Sequence, residues 1–261
     1  MIEFYSAVNQ WMKDNRFGVT GTIVSSQSDR CFTGAKFLVD GTGRYILGQI
    51  DSEIIALLNE SIQDVLRAKA SKVANIIYIN DSIKVFLDPI LPQPRLLILG
   101  GGHIAVPLTE MGKLLEFHVS VVDDRLSFAN PTRFQSANQV LCQDFEKAIR
   151  EFPFDTNTYV IIVTRGHRHD KTCLAEVLRR KESAYIGMIG SKRKVAALIE
   201  DLSEEGFTEE ELINVYAPIG LDIGAQTPAE IAVSIIAEII MVRRYGYSHG
   251  LKTQQGGMNN G

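Results

Sequence analysis

Long apolar runs, paired cysteines and an excess of positive charge are all missing from this sequence. No apolar stretch approaches the ~20 residues that a membrane helix needs, so no membrane span is expected. Lys and Arg number 27 against 31 Asp and Glu, a formal charge of −4. That balance lacks the basic footprint of non-specific nucleic-acid binding. The three cysteines, Cys31, Cys142 and Cys173, are odd in number and widely spaced. They read as reduced thiols of a cytoplasmic protein rather than a disulfide framework. No Cys-x-x-Cys pair or other zinc spacing occurs, and no metal site is expected. Met1–Tyr5 has neither the basic nor the apolar region of a signal peptide, which again points to the cytoplasm. Residues 247–261 offer almost nothing to bury and read as a flexible tail.

What is present is organised in two parts. Pro89, Pro92 and Pro94 fall within six residues, which suits neither a helix nor a central strand. Residues 89–94 therefore read as a stiff linker between a first domain, 1–88, and a second, 95–246. In the first, a helix is expected over 2–14 and strands over 18–25, 35–39, 45–48, 75–79 and 83–87. Asp40-Gly41-Thr42-Gly43 is a hairpin signal. Ile54, Leu58, Ile62 and Val65 recur at helical spacing within 51–70. The pattern predicts a small α+β domain on a mainly antiparallel sheet.

The second part alternates. Strands are expected at 95–99, 118–122, 139–142, 158–163, 184–189 and 213–217, with helices between most of them. That order predicts a doubly wound parallel sheet of Rossmann type. Thr208 and Thr227 open capping boxes, the latter with Pro228 at the first helical position. The final helix, about 228–244, carries Ile231, Val233, Ile235, Ile236, Ile239 and Ile240. So much apolar circumference predicts deep packing or a homodimer interface.

The apolar run Leu96–Leu99 ends in Gly100-Gly101-Gly102-His103-Ile104-Ala105, and a second run ends in Asp123-Asp124-Arg125. This is the G-x-G-x-x-A dinucleotide fingerprint in its expected setting. Gly100 permits the turn, Gly102 lets a pyrophosphate approach, and Ala105 lets the helix pack on the sheet. The phosphate would rest on the helix N-terminus. Asp123 would accept hydrogen bonds from ribose hydroxyls, with Arg125 leaving room for a phosphorylated ribose as a second option.

Three further loops follow strands and so fall at the carboxyl edge, where open α/β sheets hold ligands. His167, His169 and Asp170 could act as acid–base groups or equally be polar loop residues; as metal ligands they lack a third spaced partner. Asp170 reads as a helix N-cap. Cys173, close behind it, reads as a small buried residue rather than a reactive thiol. Ser191 reads as an N-cap for a helix whose first turn holds Lys192, Arg193 and Lys194. Cations there oppose the helix dipole, which suggests a bound anion such as phosphate. Asp222, between Gly220 and Gly224, lies in a loop that either approaches a ligand or forms a tight structural turn.

The blocks LLILGGGHIA, VSVVDDR, VTRGHRHD, AYIGMIGSKRK and APIGLDIGAQTPAEIAVSIIAEI, in that order, resemble the xanthine dehydrogenase accessory proteins, the XdhC/CoxI family. Phe32–Val39 resembles that family's first domain more weakly. The resemblance implies an accessory protein that binds molybdenum cofactor and assists its maturation or insertion into a xanthine dehydrogenase-type molybdenum hydroxylase. It implies molybdopterin, with or without a nucleotide, as ligand, the hydroxylase as client, and a cysteine desulfurase as a further partner. Taken with the fingerprint and the loops at the carboxyl edge, the candidate cofactor-binding residues are Gly100, Gly102, His103, Asp123, Arg125, Ser191, Lys192, Arg193 and Asp222. The family's first domain usually carries a Gly-Gly-Cys-Val-Glu type segment. Here that place reads Gly48-Gln49-Ile50-Asp51-Ser52-Glu53, without cysteine, so sulfur transfer through that residue is not expected. The competing readings are an NAD(P)-dependent oxidoreductase, with His167, His169 or Asp170 as the proton donor or acceptor, and a nucleotide-sensing regulatory module.

Overall fold

The computed structural model describes residues 2–27 and 31–246. The tail expected over 247–261 lies outside the described residues. The chain divides into two compact units, Met1–Pro92 and Gln93–Gly261.

The first unit holds α1 (Ile2–Lys13), β1 (Gly18–Ser25), β2 (Lys36–Asp40), β3 (Tyr45–Gly48), α2 (Ser52–Ala68), β4 (Lys72–Tyr78) and β5 (Asp81–Ile90). The strands form one antiparallel sheet in the order β3-β2-β1-β5-β4. The Asp40 carboxylate accepts the N–H groups of Thr42 and Arg44 at 2.9 and 3.0 Å, which closes the β2–β3 turn. Alternate residues of β5, Ile83, Val85 and Leu87, are buried, as a half-covered strand requires. They form one core with Ile54, Leu58, Ile62 and Val65, a single stripe of α2. Asp51 caps α2 by accepting the Glu53 N–H at 3.1 Å.

The linker expected from residue 89 begins later than that. Pro89 lies inside β5 and pairs with Val19. The β4 ladder stops at Lys72 opposite Leu87. At Pro89 the strand therefore has a neighbour on one side only, where a residue without an N–H is tolerated.

The second unit contains β6 (Arg95–Leu99), α3 (Ala105–Leu114), β7 (His118–Asp123), β8 (Gln139–Cys142), α4 (Phe145–Glu151) and β9 (Thr158–Ile162). It continues with α5 (His167–Arg180), β10 (Tyr185–Met188), α6 (Lys192–Glu204), α7 (Glu209–Ile213), β11 (Val215–Tyr216) and α8 (Pro228–Tyr245). All six strands are parallel, ordered β11-β10-β9-β6-β7-β8. The last is shorter than expected, because α7 claims residues up to Ile213.

Both faces of this sheet are covered, so its strands are apolar on both sides. Leu96 and Ile98 face α3 and α8, in one core with Leu108, Ile235 and Ile239. Leu97 and Leu99 face the other way, in a core with Phe145, Leu174 and Leu198. On α8, Ile235, Ile236 and Ile239 are buried whereas Val233 and Ile240 remain exposed. The chain runs outwards from β6 through β7 to β8, then returns to β9 on β6's other side. The switch point of the sheet therefore lies between β6 and β9, where such folds open a ligand crevice. Among the described residues no helix is long and apolar enough to cross a membrane.

Candidate functional site

The turn leaving β6 is built from three glycines with three different duties. Gly100 adopts φ +112°, and a Cβ there would lie 2.4 Å from the Val163 carbonyl oxygen. A Cβ on Gly101 would lie 2.7 Å from the Phe128 carbonyl oxygen. Both positions are closed to any side chain. Gly102 differs, since nothing lies within 4 Å of where its Cβ would be. It faces open space at the start of α3, which no side chain caps. His103 is exposed beside it, and Ala105 is fully buried against the sheet. The turn is therefore open at Gly102, while its other two glycines lock it in place.

Asp123 is the lock's other half. It ends β7, is 2% exposed, and accepts the Gly101 N–H at 2.9 Å. Its remaining capacity goes to Arg125, through the backbone N–H at 3.0 Å, Nε at 2.9 Å and Nη2 at 3.1 Å. Burial raises its pKa, but the hydrogen bonds from Arg125 and Gly101 outweigh burial and hold the carboxyl below its ordinary range. Both oxygens are thus engaged within the protein, at the position where the sequence suggests an acceptor for ribose hydroxyls. Arg125 is equally committed: its guanidinium lies 3.5 Å from the Phe128 ring centroid. Arg133 completes the cover by donating to the Gly101 and Phe128 carbonyls at 2.8 and 3.0 Å.

At the end of β9 the structure corrects two expectations. The N-cap of α5 is Gly166, and Asp170 is the helix's fourth residue. Asp170 is fully buried, where it accepts Thr164 Oγ1 at 2.5 Å and the Lys194 Nζ at 2.6 Å. A buried charge needs such a partner. Lys194 is thus one cation of the α6 first turn that serves an internal ion pair rather than a bound anion. Cys173 is fully buried one turn further on, and burial foremost pushes its thiol far up. The His167 side chain lies outside the described residues. His169 packs against Phe145 with ring centroids 5.6 Å apart and approaches Arg165 Nη2 at 3.3 Å. Arg165, unremarked in the sequence, forms a two-pronged pair with Asp124 at 3.0 and 3.1 Å.

After β10, Ser191 caps α6 by accepting the Lys194 N–H at 3.3 Å. Lys192 and Arg193 are exposed in the first turn. After β11, Gly220 adopts φ +91° against Ser234, so this part of the loop is a tight structural turn. Asp222, beyond it, is exposed. Glu238 holds that turn from below. It is fully buried on α8, and its Oε1 accepts the Tyr185 hydroxyl at 2.6 Å and the Gly220 N–H at 2.9 Å. Its signal in the sequence is a lone acid inside Ile235–Val242, otherwise apolar, which a surface role would not explain.

The topology thus brings Gly102, His103, Arg165, His169, Lys192, Arg193 and Asp222 to the carboxyl edge of one sheet, on the loops and helix starts that follow β6, β9, β10 and β11. The edge carries exposed cations and a free-facing glycine turn, a combination suited to a phosphate-bearing ligand.

The depressed pKa of Asp123 makes a prediction. Its contribution to stability is present above the unfolded carboxylate value, about 3.9, and is lost as pH falls through the lower folded value. Asp123→Asn should destabilise the chain at pH 7, and the gap from wild type should close as denaturation is repeated towards pH 2. A gap independent of pH would contradict the assignment.

Comparison with known proteins places this edge in a family. The profile of the XdhC Rossmann domain matches residues 96–239. The chain is 31% identical over 163 residues to the uncharacterized protein YqeB of Escherichia coli K12, which covers 62% of this chain and 30% of that protein. It is 30% identical over 183 residues to a probable xanthine dehydrogenase subunit of Bacillus subtilis 168, covering 70% and 52% respectively. A shorter match, 30% over 89 residues, is to the molybdenum cofactor insertion chaperone PaoD of E. coli K12, covering 34% and 28%. The chain therefore spans about a third to a half of the curated relatives it matches. A structure titled as a xanthine dehydrogenase from Bacillus halodurans shares the fold, with a TM-score of 0.53 and 20% identity over 92% of this chain and 95% of that one. With the profile running from the first strand of the parallel sheet to its last helix, the chain belongs to the XdhC family.

Proposed function

We propose that this chain is an accessory protein that binds molybdenum cofactor and assists its maturation or insertion into a xanthine dehydrogenase-type hydroxylase. One relative is named as a molybdenum cofactor insertion chaperone and another as a probable subunit of xanthine dehydrogenase. The observation that carries the reading is the pairing of an open Gly102 with a saturated Asp123. The turn is free to receive a phosphate, while the carboxylate that would read a ribose is closed. That combination favours a phosphorylated pterin over NAD. It also weakens the oxidoreductase reading, because Asp170 is tied to Lys194 and does not serve as a free proton acceptor.

The residues present fit the phosphate end of such a cofactor: the Gly102 turn as cradle, with Lys192 and Arg193 supplying charge at the same sheet edge. When bound, the cofactor supplies the redox centre that the client enzyme uses. The chain's own task is to hold, orient and release it. Sulfur transfer is not part of the proposal. Of the three cysteines, Cys31 and Cys173 are buried with thiols pushed up, chiefly by that burial, and Cys142 is exposed at the end of β8. In the segment 48–53, Asp51 is engaged as the cap of α2.

Gly102→Asp should leave the unfolding midpoint unchanged and abolish binding in titration calorimetry against the molybdenum cofactor, because a carboxylate would fill the cradle. Retained affinity would refute the placement. Lys192→Ala combined with Arg193→Ala should weaken binding and flatten its dependence on salt, since about one unit of slope goes with each lost phosphate contact. An unchanged slope would make these cations ordinary surface charges.

A further inference from the structure

Two ion pairs link neighbouring loops at the carboxyl edge, and they differ in kind. Lys194–Asp170 is internal, its carboxylate fully buried. Arg165–Asp124 is open to water, with side chains 41% and 28% exposed. An exposed pair exchanges its partners readily, whereas a buried one cannot be separated without stranding a charge.

The open pair has a particular place. β6 lies between β9 and β7, with Leu99 paired to Ile162 on one side and Val122 on the other. Arg165 follows β9 and Asp124 follows β7, so their contact passes across the end of β6, where the glycine turn emerges. It spans the mouth of the switch point. Its geometry is the planar fork that a guanidinium offers equally to carboxylate and phosphate.

We propose that Arg165 is a phosphate-binding residue of this site, held in reserve by Asp124 until an anionic ligand takes the carboxylate's place. The proposal rests on the reading that the Gly102 turn receives a phosphate ester. The exchange strands no charge, because Asp124 is open to water and lies 3.7 Å from Arg125 Nε. It is favoured in direction, since a phosphate monoester carries more charge than a carboxylate. The other arginines at the turn are already committed: Arg125 to buried Asp123 and the Phe128 ring, and Arg133 to the Gly101 and Phe128 carbonyls. The ligand class is therefore a phosphate ester or pyrophosphate whose charged group sits above the glycine turn.

The test is calorimetric titration of the full chain with inorganic pyrophosphate, for wild type, Arg165→Gln, Asp124→Asn and the double variant. Arg165→Gln should weaken binding by about tenfold or more, the loss of a charge-assisted pair. Asp124→Asn should tighten it, because the competitor is gone. In the Arg165→Gln background the Asp124→Asn change should have no effect, since the two residues act through one contact. Equal tightening in both backgrounds would reduce Asp124 to a long-range charge and overturn the proposal, as would weakening by Asp124→Asn. Variants that bind like wild type, while Gly102→Asp abolishes binding, would remove Arg165 and leave the glycine-turn reading standing. Absence of binding by wild type would remove both.

Discussion

The contact on which the site depends is the hydrogen bond from the Gly101 N–H to the buried Asp123 carboxylate. A glycine turn is a flexible thing, and Gly loses more backbone freedom on folding than any other residue. Here Asp123 ties the turn to the neighbouring strand, Arg125 neutralises the acid, and Phe128 and Arg133 close over Gly101. The cost of burying a carboxylate is offset by the N–H donors of Gly101 and Arg125. What emerges is a rigid turn with one open face, at Gly102. For the phosphate proposed above, such a turn would be a cradle already formed, sparing much of the ordering cost of binding.

The same arrangement recurs around the edge. Each loop that could touch a ligand is fixed by a residue that does not. Asp170 anchors Lys194 and so links the starts of α5 and α6. Glu238 reaches from α8 to Gly220 and sets the turn before Asp222. Exposed groups at this edge include His103, Arg165, Lys192, Arg193 and Asp222, with His169 half-buried. This division explains why several acids that look like ligand contacts in a sequence are supports in the fold.

Much of the architecture is legible in the sequence because it is local. The apolar run before Gly100, the second run before Asp123 and the capping boxes at Thr208 and Thr227 each declare themselves within a few residues. The parallel sheet follows from their alternation. What stays hidden is long-range. Asp170 meets Lys194 across 24 residues, Arg165 meets Asp124 across 41, and Tyr185 meets Glu238 across 53. No periodicity reports such pairs. Asp170 resembles a cap because Asp before a helical pattern usually is one. Pro89 resembles linker because the sequence does not say where the β4 ladder ends. The ribose role of Asp123 rests on position alone, and position does not reveal that Arg125 occupies the same oxygens.

The central claim is that the edge holds a phosphorylated pterin–molybdenum cofactor rather than a dinucleotide. The direct measurement is native mass spectrometry with molybdenum analysis, on the full chain isolated from cells able to make that cofactor, followed by titration with NAD. A bound pterin–molybdenum species with only weak NAD binding is the predicted result. Stoichiometric NAD with no pterin would contradict the account and return the chain to the oxidoreductase or sensor reading.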